Sequence, residues 1–159
     1  MLGLTALLIG GFVLFASSQK DDQQEVLASL DKNAVAVAPE FYDLGDVPIN
    51  GGIVQKVYEV KNTSDKTIKI KKIATSCMCT KAKLSLGGKE TGLFGMEGHG
   101  NKNPPISFEI PSGETARVVV DFDPAAHGPA GVGPIDRSVF LTFSNPAGVK
   151  ELKFNGVVK

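Results

Sequence analysis

Two cysteines, two histidines and Met96 carry most of the soft-ligand chemistry this chain could perform. Cys77 and Cys79 are its only cysteines and stand in "IATSCMCTKA" with Met78 between them. Both histidines, His99 and His127, fall in glycine-rich stretches, "FGMEGHG" and "PAAHGPAGVG". Met96 precedes His99 by three residues. Two thiolates one residue apart reach a single soft ion; Cys and Met select Cu(I), and Cys with His also suits Zn(II). The C-x-C spacing is shorter than the usual structural zinc spacings, so copper ranks ahead of zinc. Cys77, Cys79, Met96, His99 and His127 are therefore the candidate metal ligands.

The same cysteines have other chemistry open to them. On an extended strand they point to one face with Met78 opposite. Their Cα atoms are then roughly 6.6 Å apart, near the long limit for a disulfide, so a bridge requires a local bend. An oxidising compartment favours that bridge. A thiol–disulfide exchange pair is a further reading, although no C-x-x-C at a helix start is present to activate a thiol. Simple burial as small hydrophobes is the plainest reading.

The elements that position these residues follow from composition and patterning. The chain has 159 residues, 42% hydrophobic and 21% charged, which suits one domain with its own core. Seventeen basic side chains balance seventeen acidic ones and no basic stripe with interleaved aromatics appears, which argues against a nucleic-acid partner. The first nineteen residues, "MLGLTALLIGGFVLFASSQ", carry no charged side chain. As a helix of about 1.5 Å per residue they just cross a hydrocarbon core of roughly 30 Å. Residues 1–18 are expected to be a signal peptide or membrane anchor forming an apolar helix, and residues 19–39 a polar stalk or linker ending in the extended "AVAVAP". Residues 40–159 are expected to form the domain, membrane-anchored or secreted and facing outside the cytoplasm.

Beyond residue 40 the pattern is one of short strands: "FYDLGDV", "IVQKVYEVKN", "TIKIKKIATS", "ISFEI", "TARVVVDFDP", "DRSVFLTFSN" and "VKELKFNGVV". Turn residues separate them, as in "NTSD" and "PSGE". These seven strands predict an all-β, seven-strand sandwich of immunoglobulin type. Two long glycine-rich loops, residues 85–105 and 124–135, interrupt the rhythm, and long loops in a compact domain are commonly functional. If the chain makes one net crossing between residues 79 and 110, the cysteines and the His127 loop share one end of the sandwich. Nothing in the sequence requires the first loop to fold back to that end.

The succession "FYDLGDV", "KNTSD", "SCMCT", "PSGE" and "DFDP" resembles a bacterial immunoglobulin-like domain family of unknown function, itself similar to the hydin and major-sperm-protein class. The resemblance runs over roughly residues 40–158 and implies a seven-strand sandwich, export or lipid anchoring, and no established activity. Met78 stands where the family commonly has glycine, "PSGE" replaces "PGE", and residues 85–105 resemble an insertion.

Other constellations are weaker. Asp121 and Asp123 share a strand face but lack a partner for acid–base work. Asp136 and Arg137 are expected to form a surface pair or to anchor the preceding loop. No serine–histidine–acid set and no phosphate-cradling glycine motif is readable. The sequence thus favours a non-enzymatic, membrane-tethered binding module with a soft-metal site. The alternatives are a structural or interaction module of the cell envelope, where the cysteines are incidental and the partner is another envelope protein, and a thiol–disulfide redox protein.

Overall fold

A computed structural model of the chain describes residues 34–98 and 102–159. The apolar segment 1–18, residues 19–33 of the stretch read as stalk, and His99 lie outside the described residues. Among the described residues no helix is long and apolar enough to cross a membrane.

Among the described residues ten strands form two five-stranded sheets. In chain order they are β1 (Val35–Ala38), β2 (Phe41–Val47), β3 (Val54–Asn62), β4 (Ile68–Thr75), β5 (Thr80–Leu86), β6 (Lys89–Glu90), β7 (Phe108–Ile110), β8 (Thr115–Phe122), β9 (Gly133–Asn145) and β10 (Ala147–Val158). The first sheet runs β1-β3-β8-β5-β6 and the second β2-β10-β9-β4-β7. The expected all-β sandwich is present, but the count of seven strands is corrected to ten. β1 lies at the end of the stretch read as stalk, where Val35 is buried and the strand pairs with β3. β5, "TKAKLSL", has only two large apolar side chains among small ones and lysines and no β-branched aliphatic, which gives little strand signal, yet Thr80, Ala82 and Leu84 line the interior. β6 is two residues long and closes a hairpin onto β5.

The alternation read from sequence explains most of the core. Tyr58, Val60, Val118, Val120 and Leu84 face inward from the first sheet, and Ile68, Ile70, Ile73, Leu141, Phe143 and Leu152 from the second. In β4 the two-residue period breaks at "KK": Ile68 and Ile70 are buried, Lys71 and Lys72 are exposed, and Ile73 returns to the interior. The pairing of β4 with β9 shifts register between Ile70 and Lys72, which absorbs the extra residue as a bulge. The valine run places Val118 and Val120 inward and leaves Val119 half-buried on the outer face of a central strand. Two tyrosines stitch the sheets together. The Tyr42 hydroxyl on β2 donates to the Val57 carbonyl on β3 at 2.7 Å, and that of Tyr58 on β3 to the Lys153 carbonyl on β10 at 2.6 Å.

The segment 85–105, expected to be one long loop, is largely tied down. Phe94, almost wholly buried, exchanges two backbone bonds with Ala82 of β5, at 2.8 and 2.9 Å. On the other side the segment follows β4 beyond the end of β7: Thr75 donates its N–H to the Gly95 carbonyl at 3.2 Å, and Ile106 donates to Lys71 at 3.0 Å. Asn103 is the fastener. Its amide NH2 donates to the carbonyls of Ile73 and Gly95 at 3.1 and 2.7 Å, and its oxygen accepts the Gly95 N–H at 3.1 Å. The segment thereby bridges the two sheets along an otherwise open flank.

Asn103→Ala removes all three bonds and strands partly buried backbone groups, a loss of about 1–3 kcal/mol. A lower denaturant midpoint and faster hydrogen exchange at Thr75 and Gly95 are expected; unchanged exchange at both would show that Asn103 does not hold the segment. Glu97 supplies a second tether through an ion pair with Lys72. The hydrogen bond from Lys72 is the main reason its carboxyl sits below the ordinary value of 4.5. A depressed folded-state value stabilises above the unfolded one and is lost as pH falls through the folded one. The segment's exchange protection should therefore persist at pH 5 and weaken only below the ordinary carboxylate range, and Glu97→Gln should remove that pH dependence.

Candidate functional site

β4 belongs to the second sheet and β5 to the first, so residues 76–79 carry the chain across the sandwich. Cys77 and Cys79 sit in this corner, not on an extended strand. The Thr80 N–H closes the turn on the Cys77 carbonyl at 3.1 Å. The bend brings the two Cα atoms to 5.3 Å, and Cys77 and Cys79 are joined as a disulfide. Both cysteines are buried while Met78 between them is 56% exposed.

The corner is fixed from four directions. Inside it, the buried Thr75 hydroxyl lies 2.9 and 3.0 Å from the carbonyls of Cys77 and Thr80, sharing its proton between them. From β9, Ser76 donates its N–H to the Ser138 carbonyl and its hydroxyl oxygen accepts the Ser138 N–H, both at 2.9 Å. From the end of β8, Asp123 donates its N–H to the Cys79 carbonyl at 2.8 Å. The fourth contact is that of Gly95 with Thr75.

His127 arrives from the connection between β8 and β9. The Asp123 carboxylate accepts the Ala125 N–H at 2.9 Å, and the Ala125 carbonyl accepts the Gly128 N–H at 2.8 Å. These bonds give Asp123 a turn-forming role, whereas Asp121 accepts from the Gln55 amide at 2.8 Å. A short 3-10 turn, Gly128–Gly131, follows. Gly128 has φ +57°, a conformation that favours glycine, and a Cβ on Gly131 would lie 3.2 Å from that of His127. The exposed imidazole thereby reaches the corner, with Nε2 3.2 Å from Cys77 Sγ. The nitrogen and sulfur ligand atoms of Cys77, Cys79 and His127 all lie within 4.8 Å of one another.

Of the five candidate ligands, the structure gathers Cys77, Cys79 and His127. Met96 is half-buried, one residue beyond the Gly95 carbonyl that meets Thr75, and no described bond joins it to either sulfur. One residue of the site escaped the sequence reading. Arg137, expected in a surface pair with Asp136, instead donates from Nε to Cys79 Sγ at 3.4 Å, and its bond to Asp136 goes to the backbone carbonyl. The signal was present: in "DRSVFLTF" Arg137 has the parity of Val139, Leu141 and Phe143, the interior face of β9. At the open end of the sandwich an inward arginine meets whatever occupies the corner.

Residues 35–92 match the family model described as "Protein of unknown function (DUF1573)". The match takes in β1 to β6 and both cysteines and ends before His127 and Arg137. No curated protein matches the chain by sequence. Among solved structures it is similar to a protein of unknown function from Porphyromonas gingivalis W83, at 13% identity and a TM-score of 0.56 over 85% of this chain and 51% of that one. It is also similar to the secreted serine protease VesC from Vibrio cholerae, at 11% identity and a TM-score of 0.51 over 80% of this chain and 23% of that one. A third match is the "ASH / PapD-like domain" of human CEP192, at 14% identity and a TM-score of 0.45 over 80% of this chain and 86% of that one. The chain spans about half of the first and under a quarter of the second. At such identities the likeness to the first two is one of fold alone.

Thr75→Val keeps the side-chain shape and deletes the hydroxyl that holds the corner. The expected results are a loss of about 1–3 kcal/mol in denaturant unfolding and faster reduction of the Cys77–Cys79 bond by dithiothreitol. An unaltered reduction rate would mean that the threonine does not brace the sulfurs.

Proposed function

We propose that the chain is an extracytoplasmic, membrane-tethered binding module of immunoglobulin-like fold that holds one soft metal ion on Cys77, Cys79 and His127 when the two sulfurs are reduced. The observation that carries this reading is the convergence of three ligand atoms within 4.8 Å at a braced corner. The tether and the compartment are inferred from the uncharged N-terminal run, as an orientation for the domain and not as part of its site.

The donor set favours Cu(I). Two thiolates and an imidazole make a soft trigonal set, whereas zinc sites ordinarily take four ligands. Charge points the same way. Two thiolates on Cu(I) leave one net negative charge, which the Arg137 guanidinium beside Cys79 offsets. On Zn(II) the thiolates already neutralise the ion, and the guanidinium adds an unmatched positive charge. The reduced sulfurs are otherwise two buried thiols under an exposed histidine, a state that oxidation readily ends and a bound ion protects.

Competition against a chromogenic Cu(I) chelator, with the full chain reduced in detergent without oxygen, tests the reading. One Cu(I) per chain is expected, with uptake lost in Cys77→Ser and in Cys79→Ser. His127→Ala should weaken it by at least the ten- to hundredfold that even an outer-shell partner is worth. Met96→Leu and His99→Ala report whether segment 85–105 adds a donor. Absence of stoichiometric Cu(I), or uptake that survives Cys77→Ser, ends the proposal; tighter Zn(II) than Cu(I) binding overturns the preference.

A further inference from the structure

We infer that the Cys77–Cys79 bond is opened in one direction: an external thiol attacks Cys77, and Cys79 departs as the thiolate, stabilised by Arg137. This deepens the metal reading, because it names the event that would prepare the sulfurs for an ion, but it requires no metal itself.

The two sulfurs are chemically unequal. Cys77 is the more exposed, at 8% against 3%, and it borders the exposed His127. Its sulfur is met by the ring Nε2 at 3.2 Å and by the Cys79 backbone N–H at 3.3 Å. Cys79 Sγ lies deeper, with the Arg137 Nε–H at 3.4 Å and the Thr80 hydroxyl oxygen at 3.7 Å. Arginine carries a full positive charge throughout the accessible pH range, and here it is partly buried. Negative charge that develops on Cys79 during exchange is therefore answered by a fixed cation, while Cys77 receives a backbone dipole and a ring. Access selects Cys77 for attack, and electrostatics selects Cys79 to leave.

A thiolate RS⁻ forms a bond to Cys77 Sγ, the Cys77–Cys79 bond breaks, and its electron pair goes to Cys79 Sγ, giving RS–S–Cys77 and the Cys79 thiolate beside Arg137. A second thiolate attacks the RS sulfur of the adduct, releasing RSSR and the Cys77 thiolate. Two thiols are oxidised and one disulfide is reduced. The reverse route, attack by the Cys79 thiolate on Cys77 of the adduct, expels RS⁻ and restores the disulfide. Arg137 contributes as a positioning residue, through the sulfur it faces.

Glutathione is the probe. The oxidised, metal-free full chain is mixed with excess glutathione, quenched at short times with N-ethylmaleimide, and the peptide holding both cysteines is sequenced by mass spectrometry. Glutathione on Cys77 with maleimide on Cys79 is expected in about tenfold excess over the opposite pattern, the bias that one charge-assisted hydrogen bond supplies. Arg137→Gln should slow opening about tenfold and erase the preference, and Arg137→Lys, which keeps the charge, should restore most of both. An unchanged unfolding midpoint in the variants separates this from general loosening. Adducts on Cys79, equal adducts, or opening at the same rate in Arg137→Gln overturn the inference; where the adduct is too brief to trap, the variant rates decide. Chains that open as described yet take up no Cu(I) sink the metal reading alone, and chains that bind Cu(I) after chemical reduction but open without preference sink only this one.

Discussion

One geometric demand governs this molecule: between Thr75 and Thr80 the chain must leave one sheet and enter the other. Packed sheets lie about 10 Å apart, and the crossing is made by residues 76–79 alone. Backbone groups in so short a corner have no strand partner, and buried ones must be satisfied in another way. The Thr75 hydroxyl, the Ser76–Ser138 pair and the Asp123 N–H meet that need. A corner tight enough to make the crossing also brings Cys77 and Cys79 to 5.3 Å, so the sulfur pair follows from the crossing itself.

The remaining members of the site arrive through register. β5 pairs with β8 so that Thr80 lies opposite Phe122, and β4 pairs with β9 so that Thr75 lies opposite Val139. The end of β8 and the beginning of β9 are therefore both held at the corner, and the connection between them must pass across it. His127 sits in that connection and Arg137 two residues before Val139. Neither residue is near the cysteines in sequence; register places Arg137, and the turns at Asp123 and Gly128 place His127.

This explains what could be read from the sequence alone. Period-two alternation in β3, β4, β8 and β9 marked a sandwich, because in those strands one face is buried and branched residues fill it. The short β6 and the lysine-rich β5 were not legible, since their pairing comes from neighbours and not from their own hydrophobicity. The proximity of His127 to the cysteines was conditional on one net crossing between residues 79 and 110, which the ladders of β5 with β8 and of β4 with β7 supply. Arg137 needed parity carried to the strand's end, where alternation usually stops being informative because the core has run out. The segment 85–105 depended on Asn103, a single polar residue whose three bonds leave no trace in a hydrophobic pattern.

The one-residue spacing of the cysteines has a consequence for how the site changes state. Bonded sulfurs are about 2.05 Å apart, and two thiolates on one three-coordinate ion at about 2.3 Å each would lie roughly 4.0 Å apart. That difference of under 2 Å falls within the reach of side-chain rotation. The braces from Thr75, Ser76, Asp123 and Thr80 involve neither sulfur and need not break; of the corner's backbone groups only the Cys79 N–H meets one, Cys77 Sγ. A wider spacing would have required a larger loop to rearrange between the two states. With C-x-C held across the sandwich end, the frame stays fixed while the sulfurs alone exchange a bond for a ligand, and the partly buried Arg137 faces a sulfur that carries more negative charge in the open form than in the closed one.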